Sequence, residues 1–302
     1  MLQRIALGIG APWPIAAFAQ TASTGPAVAT RPIPSTGEAL PVIGLGTWIT
    51  FNVGNDRAAR DGCAEVMKAF FEAGGRMIDS SPMYGSSQPV VGHGLARLGP
   101  AAKMLFAADK VWTSSAARGP SQIEESRRHW NVPRFDLLQV HNLLGWEDQL
   151  PLLLSMKQAG RLRYVGITTS EGRRHREIED VMRRHPLDFV QVTYNLLDRE
   201  AEQRILPLAR ERAIAVIANR PFREGALLRG LQSHRLPAWA AEIDCVNWAQ
   251  VALKFIVSHP ALTCAIPATS SVAHVRENMA AATGRMPDAA LRLRMAAHVE
   301  AL

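Results

Sequence analysis

Cysteine is scarce in this chain of 302 residues. The three cysteines, Cys63, Cys245 and Cys264, lie far apart and are odd in number, so they provide neither a disulfide framework nor a cysteine metal motif. The histidines likewise include no pair at the spacing of a zinc site. We therefore predict no metal centre, which leaves other side chains to supply any chemistry.

An excess of one charge is also modest, at a formal net charge of +7. A hydrophobic fraction of 47% with 20% charged residues is ordinary for a soluble globular protein. The densest basic segment, residues 161–184, contains interspersed acidic residues, and no aromatic residue occurs within its helical part, residues 173–184. Because aromatic side chains usually accompany basic ones where single-stranded nucleic acids bind, we interpret this segment as a solvated helix face and predict no nucleic-acid partner.

Acidic residues are absent before Glu38. Arg4 is followed by an apolar stretch that ends in Ala17-Phe18-Ala19, a pattern typical of a cleavable export signal. A disordered N-terminal extension is the alternative interpretation. The stretch is short and contains Pro12 and Pro14, so we predict no stable membrane anchor. We assign residues 1–27 to an export signal and linker, which predicts a periplasmic location, with the cytoplasm as the alternative.

The rest of the chain, residues 28–302, alternates strand patterns with amphipathic helix patterns. Pro-Ser-Thr-Gly-Glu at 34–38 predicts a hairpin turn, Ser121 with Glu124 predicts a helix start with a capping box, and residues 287–302 predict a final helix. The predicted strand cores are residues 42–46, 76–79, 104–109, 136–140, 163–167, 188–193, 214–218 and 262–266. Strand starts recur about every 31 residues, which suits parallel βαβ units. We predict an α/β fold: an eight-stranded parallel (β/α)8 TIM barrel with an N-terminal β-hairpin and a C-terminal helix.

Four polar residues lie at or just past the ends of these predicted strands. Asp79, Lys110 and His141 each close an apolar run, and Tyr84 follows Asp79 by five residues. In a parallel barrel these side chains would meet at the C-terminal end, where barrel enzymes carry their active sites. An ammonium held by a carboxylate would lower the pKa of a phenol, and an imidazole would orient a carbonyl oxygen beside it. The set predicts acid catalysis on a carbonyl, although alone Asp79 could cap a helix and Tyr84 could lie at the surface.

The chain resembles the aldo-keto reductase family in a series of short motifs that occur in the family's order over residues 40–280. The motifs are Gly44-Leu45-Gly46-Thr47-Trp48, Ile78-Asp79-Ser80-Ser81 with Tyr84-Gly85, Lys110-Val111-Trp112, Leu137 to His141, Tyr164-Val165-Gly166-Ile167-Thr168-Thr169, Gln191-Val192-Thr193-Tyr194-Asn195, Ala265-Ile266-Pro267 and Arg276-Glu277-Asn278. The resemblance implies a barrel that reduces aldehydes and ketones with a nicotinamide cofactor, which it binds without a Rossmann domain. It also implies that Asp79, Tyr84, Lys110 and His141 are the catalytic residues.

Cofactor-binding residues are also implied by the resemblance. They are Thr47, Thr168, Thr169, Gln191, Asn219, Thr269, Ser270, His274, Glu277 and Asn278. The chain departs from the common pattern where Thr169 replaces an asparagine and Asn219 replaces an aromatic residue that stacks on the nicotinamide. Ala268 and His274 stand where the family often has a lysine and an arginine for the 2′-phosphate of NADPH. We predict NADPH as the cofactor, with NADH as the alternative.

Large apolar side chains dominate the predicted substrate pocket. It comprises Trp48, Met83, Trp112, Asn142, Leu143, Trp146 and Phe222. This composition favours an apolar or aromatic aldehyde or ketone over a polar sugar. We predict a monomeric NAD(P)H-dependent carbonyl reductase. The alternative is a nucleotide-binding barrel of weak catalytic activity that serves as a redox-responsive binding module.

Overall fold

The computed structural model describes residues 27–302. Its first two strands, β1 (Thr30–Pro32) and β2 (Ala39–Pro41), pair antiparallel around the predicted turn at 34–38. Ile33 and Leu40 of this hairpin are fully buried against apolar side chains of the barrel strands. The hairpin therefore closes the N-terminal end of the barrel. The predicted export signal and linker span residues 1–27, of which residues 1–26 lie outside the described residues.

Eight parallel strands follow the hairpin. They are β3 (Leu45–Gly46), β4 (Met77–Asp79), β5 (Phe106–Val111), β6 (Leu137–Val140), β7 (Tyr164–Thr168), β8 (Phe189–Thr193), β9 (Ala215–Asn219) and β10 (Cys264–Ala265). The α-helices are α1 (Arg57–Glu72), α2 (Ser87–Leu98), α3 (Gly119–Trp130), α4 (Trp146–Gln158), α5 (His175–Arg184), α6 (Ile205–Glu211), α7 (Ala226–Leu231), α8 (Trp248–Val257), α9 (Val272–Ala280) and α10 (Ala289–Glu300). Within residues 27–302, no helix is both long enough and apolar enough to cross a membrane.

The strands pair in chain order from β3 to β10, and the ring closes between the first and the last of them. Parallel bridges join Ile43 to Ala265 and Gly46 to Ala268. Glycine is required at 46 because a Cβ atom there would lie 2.7 Å from the carbonyl oxygen of Ile266. The predicted (β/α)8 barrel with its hairpin and C-terminal helix is confirmed.

Successive side chains of β5 point alternately into the barrel and outward to the helices, and this alternation places the Lys110 side chain in the barrel interior. The side chains of residues 106, 108 and 110 point into the barrel, whereas those of 107, 109 and 111 point outward to the helices. At the N-terminal end the interior is filled by Phe106, Tyr164 and Phe189, whose ring centroids lie 5.5–6.2 Å apart. The interior residues Asp79, Lys110, Gln139 and Gln191 lie toward the C-terminal end.

A cluster of charged and polar residues, here called the base cluster, joins the hairpin to the barrel. Its members are Glu38, Arg76, Arg163 and Tyr164. The Glu38 carboxylate accepts hydrogen bonds from Arg76 Nη2 at 3.0 Å, from Tyr164 Oη at 2.8 Å and from Arg163. These contacts join residues far apart in sequence, so the hairpin cannot leave the barrel without breaking all of them.

The predicted N-cap of α3, Ser121, is wrong by three residues, because the N-cap is Arg118. The helix begins at Gly119, and Pro120 occupies its first turn, where a missing N–H group is tolerated. Ser121 Oγ donates to the Arg118 carbonyl at 3.0 Å, and Glu124 pairs with Arg127, so no capping box forms. Pro120 is favoured in the first turn of a helix, so the helix begins before Ser121 and leaves this serine inside it.

Candidate active site

Asp79, Lys110, Tyr84 and His141 converge at the C-terminal end of the barrel. Lys110 Nζ lies 2.5 Å from Asp79 Oδ1, and both residues are buried. The same ammonium lies 5.0 Å from the centroid of the Tyr84 ring. The His141 ring meets the Tyr84 ring edge-on at a centroid distance of 5.6 Å. The four strand-end residues singled out in the sequence thus form one contiguous cluster.

Amide groups that reach across the barrel interior from β6 and β8 orient the Asp79 carboxylate. Gln191 Nε2 donates to Asp79 Oδ2 at 3.1 Å, and Gln139 Nε2 approaches the same oxygen at 3.4 Å. Thr47 Oγ1 donates to the Asp79 backbone carbonyl at 3.0 Å. With Lys110 bound to the other carboxylate oxygen, Asp79 is held from four sides and can hold the ammonium in turn.

Burial and charge set the protonation states of the cluster. Burial raises the pKa of Tyr84 above its usual value, and the positive charge of Lys110 opposes that rise without cancelling it. The prediction that Lys110 lowers the pKa of Tyr84 below its usual value is therefore wrong, and the phenol keeps its proton at neutral pH. Burial alone would lower the pKa of Lys110, but the charge and hydrogen bond of Asp79, together with Tyr84 and Asp109, outweigh burial, so the pKa of Lys110 is raised. Burial and the nearby Lys110 hold the pKa of His141 well below its usual range, so this imidazole is neutral.

Two loops fix the orientation of His141. In the loop after β4, Ser81 Oγ lies 2.7 Å from His141 Nδ1. The loop after β6 contains His141 itself and has an unusual backbone. Asn142 and Leu143 both adopt left-handed backbone conformations, with φ of 52° and 53°. Arg174 donates to both of their carbonyl oxygens, at 2.8 and 3.0 Å. The guanidinium therefore supports a backbone turn that would otherwise be strained.

A cavity of about 700 Å³ opens above the cluster and is lined by Asp79, Tyr84 and His141. This volume lies within the range of small-molecule and cofactor sites. Twelve further residues predicted for the cofactor or the substrate line the same cavity. They are Thr47, Trp48, Met83, Asn142, Thr168, Gln191, Asn219, Phe222, Thr269, His274, Glu277 and Asn278.

Two residues predicted for the cofactor lie outside the cavity lining. Thr169 is buried, and its hydroxyl donates to the Arg173 carbonyl at 2.6 Å, so it stabilises its own loop. Ser270 is exposed just before α9. Asn219, which does line the cavity, has its amide engaged: it accepts from Thr193 Oγ1 at 2.8 Å and donates to the Thr169 carbonyl at 2.9 Å.

Three residues predicted for the substrate pocket also lie elsewhere. Trp112 is 39% exposed beyond the end of β5, and Leu143 is buried in the apolar layer between barrel and helices. Trp146 begins α4, and its indole N–H donates to Glu177 at 2.7 Å. The left-handed turn after His141 directs Leu143 away from the cavity, and the hydrogen bond draws Trp146 to α5. The wall is correspondingly less aromatic than the sequence predicted.

Charged residues at the cavity mouth were missed by the sequence analysis. Arg173 and Arg220 both line the cavity, together with Glu171 and Glu224. Arg220 Nη1 lies 3.2 Å from Glu171 and also contacts Glu224, while Arg173 contacts Glu171. Arg220 immediately follows β9, so the strand-end rule that found the central cluster could have found it. Arg173 was hidden within the segment interpreted as a solvated face.

No group of three or more metal-ligating side chains occurs in the described part of the chain. Over the same residues, all three cysteines are buried and free.

The model of the aldo/keto reductase family matches residues 42–292. The chain belongs to this family. A methylglyoxal reductase of Escherichia coli K12 is 27% identical to this aldo/keto reductase over 248 residues, 80% of the chain and 85% of the relative. An NADH-specific methylglyoxal reductase of the same organism is 24% identical over 316 residues, 85% and 94% of the two chains. The predicted family and the prediction of an oxidoreductase are confirmed.

Solved structures of the family share the fold. The aldo/keto reductase of Klebsiella pneumoniae, crystallised with NADP and acetate, superposes with a TM-score of 0.73 at 24% identity, covering 87% of this chain and 93% of that one. The aldo-keto reductase AKR11C1 of Bacillus halodurans gives a TM-score of 0.74 at 20% identity, with coverage of 90% and 96%. At these identities the comparison supports the barrel architecture.

Proposed function

We propose that this aldo/keto reductase reduces an aldehyde or ketone to an alcohol with NADPH, or alternatively NADH. The observation that carries the proposal is the convergence of four residues: Asp79, Tyr84 and His141 line one cavity, and Lys110 is buried directly behind them. When bound, the reduced nicotinamide supplies a hydride to the carbonyl carbon. Tyr84 supplies the proton to the carbonyl oxygen, so one hydride and one proton convert the carbonyl to a hydroxyl group.

Tyr84 is suited to the role of general acid. Its raised pKa keeps the phenol protonated at neutral pH, so the proton is available when negative charge develops on the substrate oxygen. Once the proton has left, the ammonium of Lys110, 5.0 Å from the ring centroid, stabilises the phenolate. Asp79 holds that ammonium in place through its ion pair.

His141 orients the carbonyl oxygen as a neutral donor. Ser81 Oγ accepts a hydrogen bond from the Met83 amide at 3.1 Å, which leaves its own hydrogen free to bond His141 Nδ1. We assign the tautomer with hydrogen on Nε2 accordingly. This N–H group and the Tyr84 hydroxyl would then share one substrate oxygen.

The cavity fits a nucleotide cofactor in its donors and in its charge. Gln191 uses its amide N–H on Asp79, so its carbonyl oxygen can accept from the nicotinamide carboxamide. At the mouth, Arg173 and Arg220 would bind the phosphates by exchanging their present partners, Glu171 and Glu224, for phosphate oxygens. Ala268 in the cavity wall leaves the 2′-phosphate without a lysine. One relative named as NADH-specific and solved structures that contain NADP or NADPH support both cofactors as candidates.

Apolar side chains favour an apolar or small carbonyl substrate. Trp48, Met83 and Phe222 line the cavity near the cluster, and Trp48 lies 6.4 Å from Tyr84 between ring centroids. Because similar proteins are named methylglyoxal reductases, methylglyoxal and an aromatic aldehyde form a suitable first substrate pair.

The test compares purified wild type with Tyr84→Phe by following cofactor oxidation. Loss of a general acid typically lowers turnover about 10²–10⁴-fold, while cofactor affinity should barely change because the phenol acts on the substrate. Tyr164→Phe is the matched control, since this phenol lies in the base cluster at the opposite end of the barrel. A Tyr84→Phe enzyme that kept the wild-type rate would overturn the assignment. Cofactor binding without turnover on any carbonyl would favour the alternative nucleotide-binding barrel.

We propose export to the periplasm from the apolar stretch and Ala17-Phe18-Ala19 near the N-terminus. N-terminal sequencing of the protein from its native cell should find a mature terminus near Gln20. Recovery of intact Met1 in the soluble cytoplasmic fraction would contradict export. We also propose a monomer, which size-exclusion chromatography with light scattering would test.

A further inference from the structure

A buried polar cluster lies behind the barrel wall, on the opposite face of β5 from the Lys110 ammonium. Asp109 points outward between β5 and helices α2 and α3, and it is completely buried. Its Oδ2 atom accepts a hydrogen bond from Gln88 Nε2 at 2.7 Å, and its Oδ1 atom accepts from the Lys110 backbone amide at 2.7 Å. Gln88 also donates to Ser126 Oγ of α3 at 2.8 Å.

These contacts connect Tyr84, the proposed proton donor, with Lys110, the cation that would stabilise its phenolate. Gln88 lies in the first turn of α2, four residues after Tyr84. The Ser87 amide in between donates to the Tyr84 carbonyl at 3.1 Å, so the Tyr84 loop and the helix start form one unit. Through Gln88, the Asp109 carboxylate ties this unit to the strand that carries Lys110.

Stability alone does not explain a carboxylate at this position. Burial raises the pKa of Asp109 to about 7, against the lowering effect of the Lys110 amide and charge and of Gln88. The folded protein thus holds this proton more tightly than the unfolded chain, and the ionised form lowers the free energy of unfolding as the pH rises from about 4 to about 7. Within residues 27–302, no cationic group forms an ion pair with it. A neutral amide would be easier to bury.

We propose that Asp109 is a positioning residue for carbonyl reduction: its carboxylate, bound both to the Lys110 backbone and to Gln88, sets the separation between the Tyr84 phenol and the Lys110 ammonium. This inference rests on the proposed function of the cavity. The separation matters because misplacing a reacting group by about 1 Å can lower a rate 10²-fold.

The first test is Asp109→Asn at pH 8, where the native carboxyl is ionised. The carbonyl oxygen of the new asparagine can still accept from the Lys110 backbone amide. Its NH2 group, however, faces the Gln88 NH2 group, and two donors cannot form a hydrogen bond. We expect kcat to fall about tenfold to hundredfold, with KM and the cofactor Kd changed less than about twofold. We expect the urea midpoint to stay equal or rise, because a buried charge is removed.

Asp188→Asn is the matched control. Asp188 is also a buried carboxylate that accepts from a strand amide, Val165 N at 2.9 Å, but it lies at the N-terminal end of the barrel. This variant should lose stability, since Asp188 is paired with Lys157, and keep the wild-type kcat. A low kcat with unchanged or raised stability in Asp109→Asn, and a wild-type kcat with lowered stability in Asp188→Asn, would separate positioning from general stabilisation.

The pH profile provides a second readout. The charged groups that act on Asp109 are Lys110 on its own strand and Asp79 on β4, while α2 and α3 face it with the uncharged Gln88 and Ser126. Protonation removes an acceptor site, so wild-type kcat should fall as the pH drops through about 7. Asp109→Asn should lack this inflection.

Backbone hydrogen exchange tests the connection without any activity. Residues 84–88 and the Lys110 amide should exchange faster in Asp109→Asn than in wild type or Asp188→Asn. Faster exchange with unchanged kcat would overturn the positioning role, as would unchanged exchange. If the wild type reduced no carbonyl at all, the proposed function would fall, and unchanged exchange would then separately refute the connection.

Discussion

Replacing Lys110 with methionine removes the ammonium of a fully buried ion pair while keeping a side chain of similar length. Lys110 Nζ lies 2.5 Å from Asp79 Oδ1, and the two side chains are 0% and 2% exposed. Removing one partner of a buried pair typically costs about 3–5 kcal/mol, because the remaining charge is uncompensated. Gln191 still donates to Asp79 at 3.1 Å, so we expect about 3–4 kcal/mol of lost unfolding free energy.

A second substitution separates stability from catalysis. Asp79→Asn added to Lys110→Met leaves a neutral pair, and neutral replacements of buried ion pairs are often close to the native stability. The double variant should therefore recover most of the lost stability. Turnover should remain low in both variants by about 10²-fold or more, because no ammonium is present to stabilise the Tyr84 phenolate.

Urea unfolding at pH 7, followed by circular dichroism, measures the free energy of unfolding of each variant, and cofactor oxidation measures its turnover. Lys157→Met is the control: it removes an ion pair with Asp188, but Lys157 is 37% exposed, so the loss should be smaller and kcat unchanged. A double variant as unstable as Lys110→Met would refute the reasoning, since the instability would then not come from an unpaired carboxylate. Wild-type turnover in Lys110→Met would refute the catalytic role.

Three further predictions concern the cofactor, the hairpin and the ring closure. Ala268→Lys with His274→Arg should tighten NADPH relative to NADH at least about tenfold, through charge-assisted contacts to the 2′-phosphate, as measured by fluorescence titration; a wild type that already prefers NADPH by orders of magnitude would contradict this. Burial would raise the pKa of Glu38, but the Tyr164 hydrogen bond and other base-cluster contacts lower it. The stability that Glu38 contributes is present above pH ~4.5 and is lost as the pH falls through the lowered pKa, so Glu38→Gln should lower Tm more at pH 7 than at pH 3, and an equal loss at both would contradict this. Gly46→Ala places a Cβ atom 2.7 Å from a backbone carbonyl and should destabilise the barrel in urea; an unchanged midpoint would show that β3 can shift.

The order of elements could be predicted because it depends on local patterns. Apolar runs, turn residues and amphipathic helices repeat at a regular interval, and the eight strands lie where those runs predicted. The parallel arrangement then brings the strand ends together, so Asp79, Lys110 and His141 share one end of the barrel. One local signal was misleading: Pro120 shifts the start of α3 ahead of the predicted cap at Ser121.

Side-chain directions beyond the strand ends could not be predicted in the same way. Leu143 turns away from the cavity because the backbone there is left-handed, and that turn is supported by Arg174, far away in sequence. Trp146 leaves the cavity for a hydrogen bond to Glu177. Arg220 lies at the cavity mouth, where it pairs with Glu171 from the loop after β7 and with Glu224. Each outcome depends on a long-range contact that leaves no pattern in the local sequence.

By itself, the sequence determined the barrel, its hairpin and the meeting of four polar residues, since strand order and strand ends follow from periodicity and topology. Only the tertiary structure decided the electrostatics. Burial outweighs the ammonium at Tyr84 and keeps its proton, and the same burial holds the pKa of Asp109 near 7 behind the wall. The physical reason is that desolvation depends on every neighbour packed around a group, and those neighbours come from distant parts of the chain.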